Sequence, residues 1–397
     1  GGDWSSDVCS SDLDMFSFYV LLAFIYVLLS LFRILIAFLE IRKQQKLIST
    51  LPIISEKNVT VLQPILGGDP ALSYCLETNL KNSPLAQFIW LLDENDEEGI
   101  NAAKQAILSS GATNVELQIN PAPPKNLNPK MWKLALGIKN VKTEFLAFLD
   151  DDTMLPKESL RKCAAIADRG NLVTGLPLYS SHKNILSRLV SGFVNSSSII
   201  TYLPTSYFKM SNTINGMFST MRSSDIKLND FESIMSGATD DYALAKIFKN
   251  KGLGIAQTIV AHPIITTISS FWHYSSLMKR WMVFARIYLR ENLNLSLSLL
   301  IVVPSILPLL LILTAAVIDP LLFIPVTFFV MLVKTMILRI LRSRLGFQTK
   351  KVDMFFEIIA EIISPFYFLL ASIHHDKITW RKSNFSLSQS GKIKNDL

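Results

Sequence analysis

Three apolar runs, each long enough to cross a bilayer, constrain this chain more than any other feature. Residues 15–39 hold one charged side chain, Arg33, and the basic stretch IRKQQK follows at once. At ~1.5 Å of rise per residue, a helix over that run is about 37 Å long, against the ~30 Å of a hydrocarbon core. A cleavable signal peptide has a shorter apolar core and a small-residue cleavage site, so this run reads as an uncleaved anchor. Residues 292–318 carry no charge and residues 321–340 follow directly, giving a second and a third span. Pro304 and Pro308 predict a bend in the second. Basic residues crowd the flanks (Arg42, Lys43, Lys46, then Arg339, Arg342, Arg344, Lys350, Lys351). By the positive-inside rule they place residue 41 onward in the cytosol and return the chain there after the third span. Residues 355–373 are apolar too, but Glu357 and Glu361 stand one helical turn apart on one face. The tail behind them is basic (Lys377, Arg381, Lys382, Lys392, Lys394), so a full crossing would strand positive charge outside. A re-entrant or interfacial helix is expected there.

Between the spans the character changes. Short β-rich runs at 59–63, 87–92, 115–119, 145–149 and 171–176 alternate with helical patterns such as 97–109 and 157–168. That alternation predicts an α/β domain with a mostly parallel sheet over 41–291, binding ligands beyond the carboxyl ends of its strands. The formal charge of +7 sits on the membrane flanks, and no basic stripe interleaves with aromatics, which excludes a nucleic-acid groove. Cys9, Cys75 and Cys163 have neither paired nor metal-type spacing and read as reduced thiols. Residues 1–14, GGDWSSDVCSSDLD, resemble a translated sequencing adapter, which makes Met15 the expected start.

Two acidic clusters follow strands: Asp93, Glu94 and Asp96, and then Asp150, Asp151 and Asp152 in FLAFLDDDT. An Asp-x-Asp at a strand end holds two carboxylates that repel one another unless a divalent cation, Mn2+ or Mg2+, lies between them. A plain acidic loop is the competing reading, with Asp152 capping a helix near 157. Asp240 and Asp241 open an amphipathic helix, where they complement the helix dipole or supply a general base. Arg280 and Trp281 in LMKRW are either an interfacial anchor pair or a cation and an aromatic for a sugar diphosphate. His262, behind a strand, is expected to be packed rather than a metal ligand, and His374 and His375 mark the membrane interface.

The order DENDEEG, NPKMWKLA, LDDDT, TGLPLY, INGMFSTMR, TDDYALA, MKRW and ITWRK resembles the ceramide glucosyltransferase family, which includes bacterial hopanoid-type lipid glycosyltransferases. The resemblance covers roughly residues 58–290, with support at 376–385. It implies a GT-A nucleotide-diphospho-sugar transferase domain between N- and C-terminal transmembrane helices. It also implies inversion, a UDP-sugar donor and a lipid alcohol acceptor. By that resemblance Asp93 and Glu94, with Asp96 near, hold the uridine. Lys130 and Asp151 lie at the donor, Asp150 and Asp152 bind the metal and diphosphate, and Asp241 is the base. Asp240 stands where the family has Glu. Arg280 and Trp281 match its Arg-Trp pair, and Leu277 replaces the expected Gln or Arg.

The expected reaction is transfer of glucose, N-acetylglucosamine or another sugar to a lipid hydroxyl on a bacterial inner membrane or a Golgi membrane. A processive polysaccharide synthase competes, but it would want an intact Gln-x-x-Arg-Trp and more spans for a channel. A non-catalytic scaffold with a degenerate domain also competes, and the retained aspartates speak against it.

Overall fold

The computed structural model describes residues 4–373, 377–380, 383–388 and 391–394. His374, His375, Arg381 and Lys382 lie outside the described residues, as do the first three of residues 1–14. The chain opens with α1 (Trp4–Ser49) and continues through β1 (Val59–Pro64), α2 (Leu72–Asn82), β2 (Gln87–Asp93), α3 (Glu97–Ser110) and β3 (Val115–Asn120). Next come α4 (Pro129–Gly137), β4 (Phe145–Leu149), α5 (Ser159–Ala167), β5 (Asn171–Tyr179) and α6 (Ile185–Tyr207). The sheet is completed by β6 (Phe218–Arg222) and β7 (Gly254–Ile264), separated by α7 (Leu228–Ile234) and α8 (Asp240–Asn250). Last are α9 (Phe271–Asn292), the single turn α10 (Leu295–Leu297), α11 (Val303–Ile318), α12 (Pro320–Arg344), α13 (Asp353–Ile373) and the hairpin β8 (Lys377–Trp380) and β9 (Ser383–Ser386).

Seven strands form one sheet in the order β3-β2-β1-β4-β6-β5-β7. Only β6 runs antiparallel to its neighbours, so the sheet is parallel-rich, as the alternation predicts. Strands β2 and β4 carry unbroken apolar runs (FIWLL and FLAFL) because helices cover both faces, and two apolar cores lie on either side. Strands are added outward from β1 to β3 and then on the other side of β1 from β4, parallel to it, so the mouth of the sheet opens beyond the carboxyl ends of β1 and β4, where ligands bind in folds of this kind.

Four helices are long and apolar enough to cross a membrane: Asp14–Ser49, Leu295–Ile318, Pro320–Arg344 and Asp353–Ile373. Where a bend is expected at Pro304 and Pro308, a π-helical turn, Ser298–Val302, precedes Pro304, and Pro308 lies inside α11. Two ion pairs join α12 to α13. Arg342 of α12 makes a two-pronged hydrogen bond to Glu357 of α13, both fully buried, and Lys334 meets Glu361. That explains the two glutamates on one face of α13.

Both ends of α13 touch the α/β domain. Asp353 accepts a hydrogen bond from Ser181, just beyond β5, while Ala371 is buried in the same core as Leu149 and Phe218. The hairpin that follows sinks Ile378 and Phe385 into this core. Further on, Ile393 N–H donates to Ser236 O (2.7 Å) and Ala238 N–H to Gly391 O (3.0 Å).

Candidate active site

The site grows from three chain segments that meet at one ammonium group. Asn128 caps α4 by accepting from Lys130 N (3.0 Å) and Met131 N (3.2 Å), and Pro129 presets the first turn. This aims Lys130 across the mouth of the sheet. Its Nζ lies 2.6 Å from Asp150 Oδ1 at the end of β4 and 2.9 Å from Asp240 Oδ2 at the start of α8. It also donates to Gly216 O (2.7 Å), ahead of β6. A Cβ at Gly216 would stand 3.7 Å from Lys130 Nζ and 3.8 Å from Asp241 Cβ, so any larger side chain would fill the space these groups share. Burial opposes the charge on Lys130, but Asp150 and Asp240 together hold its pKa above the ordinary lysine value.

Asp241 occupies the other side of this centre. Burial, and then the charge of Asp240, push its carboxyl up to about 7, although Tyr242 N–H donates to Oδ1 at 2.7 Å. Tyr202 of α6 is pushed up by burial and then by the charge of Asp241, with Tyr288 of α9 as a further neighbour. The start of α8 meets α9, where Tyr242 packs edge-on against Tyr288 (5.5 Å) and its hydroxyl donates to Glu291 (2.9 Å).

A family model described as glycosyl transferase family 21 matches residues 17–393, nearly the whole chain. The chain belongs to that family. This agrees with the order of motifs, and it makes the protein a glycosyltransferase with membrane helices. No curated protein matches the sequence. Among solved structures the chain is similar to a mannosyltransferase from Pyrobaculum calidifontis in complex with GDP-mannose and Mn2+, at 12% identity and TM-score 0.41 over 88% of this chain and 99% of that one. It is also similar to a mycobacterial protein, at 12% identity and TM-score 0.35 over 57% and 74%.

The remaining expected residues of this family 21 glycosyltransferase separate into those at the mouth and those that brace it. Asp93 pairs with Lys133 (2.8 Å), which also donates to Ile65 O (2.7 Å), and Asp93 Oδ1 is a buried acceptor with no partner among the described residues. Glu94 is exposed beside it. Asp96, expected at the donor, instead braces the loop: it accepts from Gly99 N (3.1 Å) as the cap of α3 and from Gly67 N (2.8 Å). Asp151 is buried and accepts from Leu66 N (2.9 Å), which fixes the turn after β1. Asp152 does not cap the following helix, whose N-cap is Glu158. It accepts from Thr266 Oγ1 (2.7 Å), because the strand end of β7 lies closer than α5.

Trp281 stacks on Phe193 of α6 (centroids 5.8 Å apart, 25° between planes) and meets Tyr179 edge-on (6.2 Å). Burial raises the Tyr179 hydroxyl above its ordinary value, with the charges of Asp152 and Asp150 adding to this and Arg280 opposing it. Leu277, in place of the family's Gln or Arg, is buried in the apolar core. His262 is packed as expected: its ring stacks on Phe218 (4.1 Å), Nδ1 lies 3.1 Å from Val260 O, and burial lowers its pKa to about 3. Tyr202 and Tyr288 escape sequence reasoning, since nothing about an isolated tyrosine signals its neighbours.

Among the described residues no group of three or more His, Cys, Asp or Glu could hold a metal ion by itself. Asp150 is engaged by Lys130 and Asp152 by Thr266, so a hard cation of the Mg2+ type at this mouth would need oxygens besides these two carboxylates. Such ions are commonly held by one or two carboxylates, with substrate phosphates and water completing the shell.

Proposed function

We propose that the chain transfers a hexose or N-acetylhexosamine from a UDP-sugar to a lipid hydroxyl at the cytosolic membrane surface, with inversion. The observation that carries this reading is the position of Asp241, with a carboxyl at about 7, between the Lys130 centre and the helices α6 and α9. A base with a pKa near the working pH is suited to take a hydroxyl proton during attack. The acceptor oxygen forms a bond to the anomeric carbon, the bond from that carbon to the diphosphate breaks, and Asp241 receives the proton. Lys130, whose three N–H groups serve Asp150, Asp240 and Gly216, offsets the carboxylate charge where the diphosphate would depart. A divalent cation held by Asp150 and Asp152 would supply further neutralisation there. The buried Asp93 Oδ1 suits the N–H of a uracil ring.

The same reading assigns three crossings, by α1, α10–α11 and α12, and lays α13 along the cytosolic leaflet. A helix whose two ends both contact one soluble domain is better accommodated in the membrane surface than across it. α9 and α13, joined by the edge-on pair Tyr274–Tyr367 (5.6 Å), would then form the threshold a lipid head group crosses. The test is incubation of membranes carrying the full chain with labelled UDP-sugars and lipid extracts, followed by mass spectrometry. A labelled lipid carrying one sugar is expected. A polymer would favour the processive synthase, and no product from any UDP-sugar would overturn the proposal.

A further inference from the structure

The strand β7 contains an irregularity that sequence patterning does not reveal. Thr174 of β5 pairs with Gln257 and Leu176 with Ala261, so Gly175 alone faces three residues, Thr258, Ile259 and Val260. An expanded bulge of this kind frees backbone groups that need partners in a buried place. Gln44, from the cytosolic end of α1, supplies them. Its Nε2 donates to Gln257 O (2.8 Å), and its Oε1 accepts from Ile259 N (2.9 Å). Glu40, one turn earlier, orients Gln44 by accepting from its Nε2 (2.8 Å) and is itself held by Ser206 (3.0 Å).

The bulge passes this constraint inward. Gln257 Nε2 donates to Gly175 O (3.0 Å), while its Oε1 accepts from Asn215 Nδ2 (2.9 Å), which also reaches Gly175 O (2.9 Å). Asn215 N–H donates to Thr174 Oγ1 (3.0 Å). The next residue is Gly216, whose carbonyl receives Lys130. Glu40, Gln44, Thr174, Asn215 and Gln257 are all buried, so water does not compete for these bonds.

We propose that Glu40 and Gln44 make the membrane anchor a positioning element of the catalytic centre. Through the β7 bulge, Gln257 and Asn215, they set the Gly216 carbonyl that holds Lys130 between Asp150 and Asp240. Apolar contacts of Ala37 and Ile41 with Leu176 and Ile259 hold α1 against the domain. The polar path adds direction: a side-chain amide that both donates to and accepts from one bulge permits a single register. The inference rests on the role given above to Lys130.

The test uses the full chain, with the folded fraction measured by gel filtration and thermal unfolding. Q44L is expected to lower kcat per folded molecule about ten- to hundredfold, as small misplacements of catalytic groups do, with little change in acceptor KM. L35A, on the lipid-facing side of α1, is expected to leave both constants at wild-type values. K130R is expected to be impaired by itself, and Q44L added to it to cost little more, because the two changes act on one group. A normal K130R would refute the role of Lys130. An impaired K130R beside a folded Q44L of wild-type kcat would refute the positioning role alone, as would losses that simply multiply in the double variant. If Q44L does not accumulate as folded protein, N215D carries the same test. It keeps the size of Asn215 and removes both hydrogen bonds its amide donates, so a folded N215D of wild-type kcat overturns the proposal.

Discussion

Asp241→Asn is expected to abolish transfer and, at alkaline pH, to make the protein more stable. The carboxyl sits at about 7 in the folded chain, whereas an unfolded aspartate titrates near 4. Below about pH 4 the group is protonated in both states and ionisation costs nothing. As pH rises from about 4 to 7 the unfolded chain gives up the proton and the folded chain retains it, so stability falls until the folded carboxyl has also ionised. A gap of about three pH units at ~1.4 kcal/mol each gives on the order of 4 kcal/mol. Asparagine removes that cost and keeps an oxygen for Tyr242 N–H, but its new N–H donors must find partners. A net gain of about 2–3 kcal/mol at pH 8.5 follows, which for a domain of this size is roughly 4–12 °C in Tm. Thermal unfolding of both proteins at pH 5 and pH 8.5 measures it, with the gain expected to shrink sharply at pH 5. Wild-type transfer should correspondingly rise with pH through about 7. An equal Tm difference at both pH values, or turnover by the variant, would refute the reasoning.

Three further outcomes are expected. EDTA should stop transfer and Mn2+ or Mg2+ restore it in a direct product assay; full activity in the chelator would remove the metal role of Asp150 and Asp152. Glu357→Ala should cost about 3–5 kcal/mol in thermal or denaturant unfolding, because it strands the fully buried Arg342 guanidinium, whereas replacing both residues by leucine should cost far less. Gly192→Ala should destabilise by about 1–3 kcal/mol in the same assays, since its Cβ would lie 2.5 Å from Phe356 O and force α6 and α13 apart.

The sheet was legible because strands covered on both faces read as unbroken apolar runs, and the acidic clusters stood where those runs ended. The Lys130 centre was not, because its partners Asp150, Gly216 and Asp240 arrive from segments up to 110 residues away. The competing reading of Asp152 as a helix cap fails for the same reason, its partner Thr266 being distant in sequence and near in space. The helix α6 was missed altogether. Ser187, Ser191, Asn195 and Ser198 interrupt its apolar pattern, yet all four are buried, and their side chains bond to carbonyls or amides of the chain beside them, Ser191 through Ser180 O (3.3 Å).

The pairing of Gly391 and Ile393 with Ser236 and Ala238 has a consequence for biosynthesis. Asn128 reaches the same segment from the other side, accepting no help from the tail, through its bonds to Met235 O and Gly237 O. The loop that carries Asp240 and Asp241 is therefore clamped by one early segment and one late one. About 150 residues separate Ala238 from Gly391. At roughly 5–20 residues per second, they take about 8–30 s to emerge from the ribosome. During that interval a nascent chain holds the Asn128 side of this clamp and lacks the other, so the segment that leads into α8 gains its last hydrogen bonds only when the tail emerges.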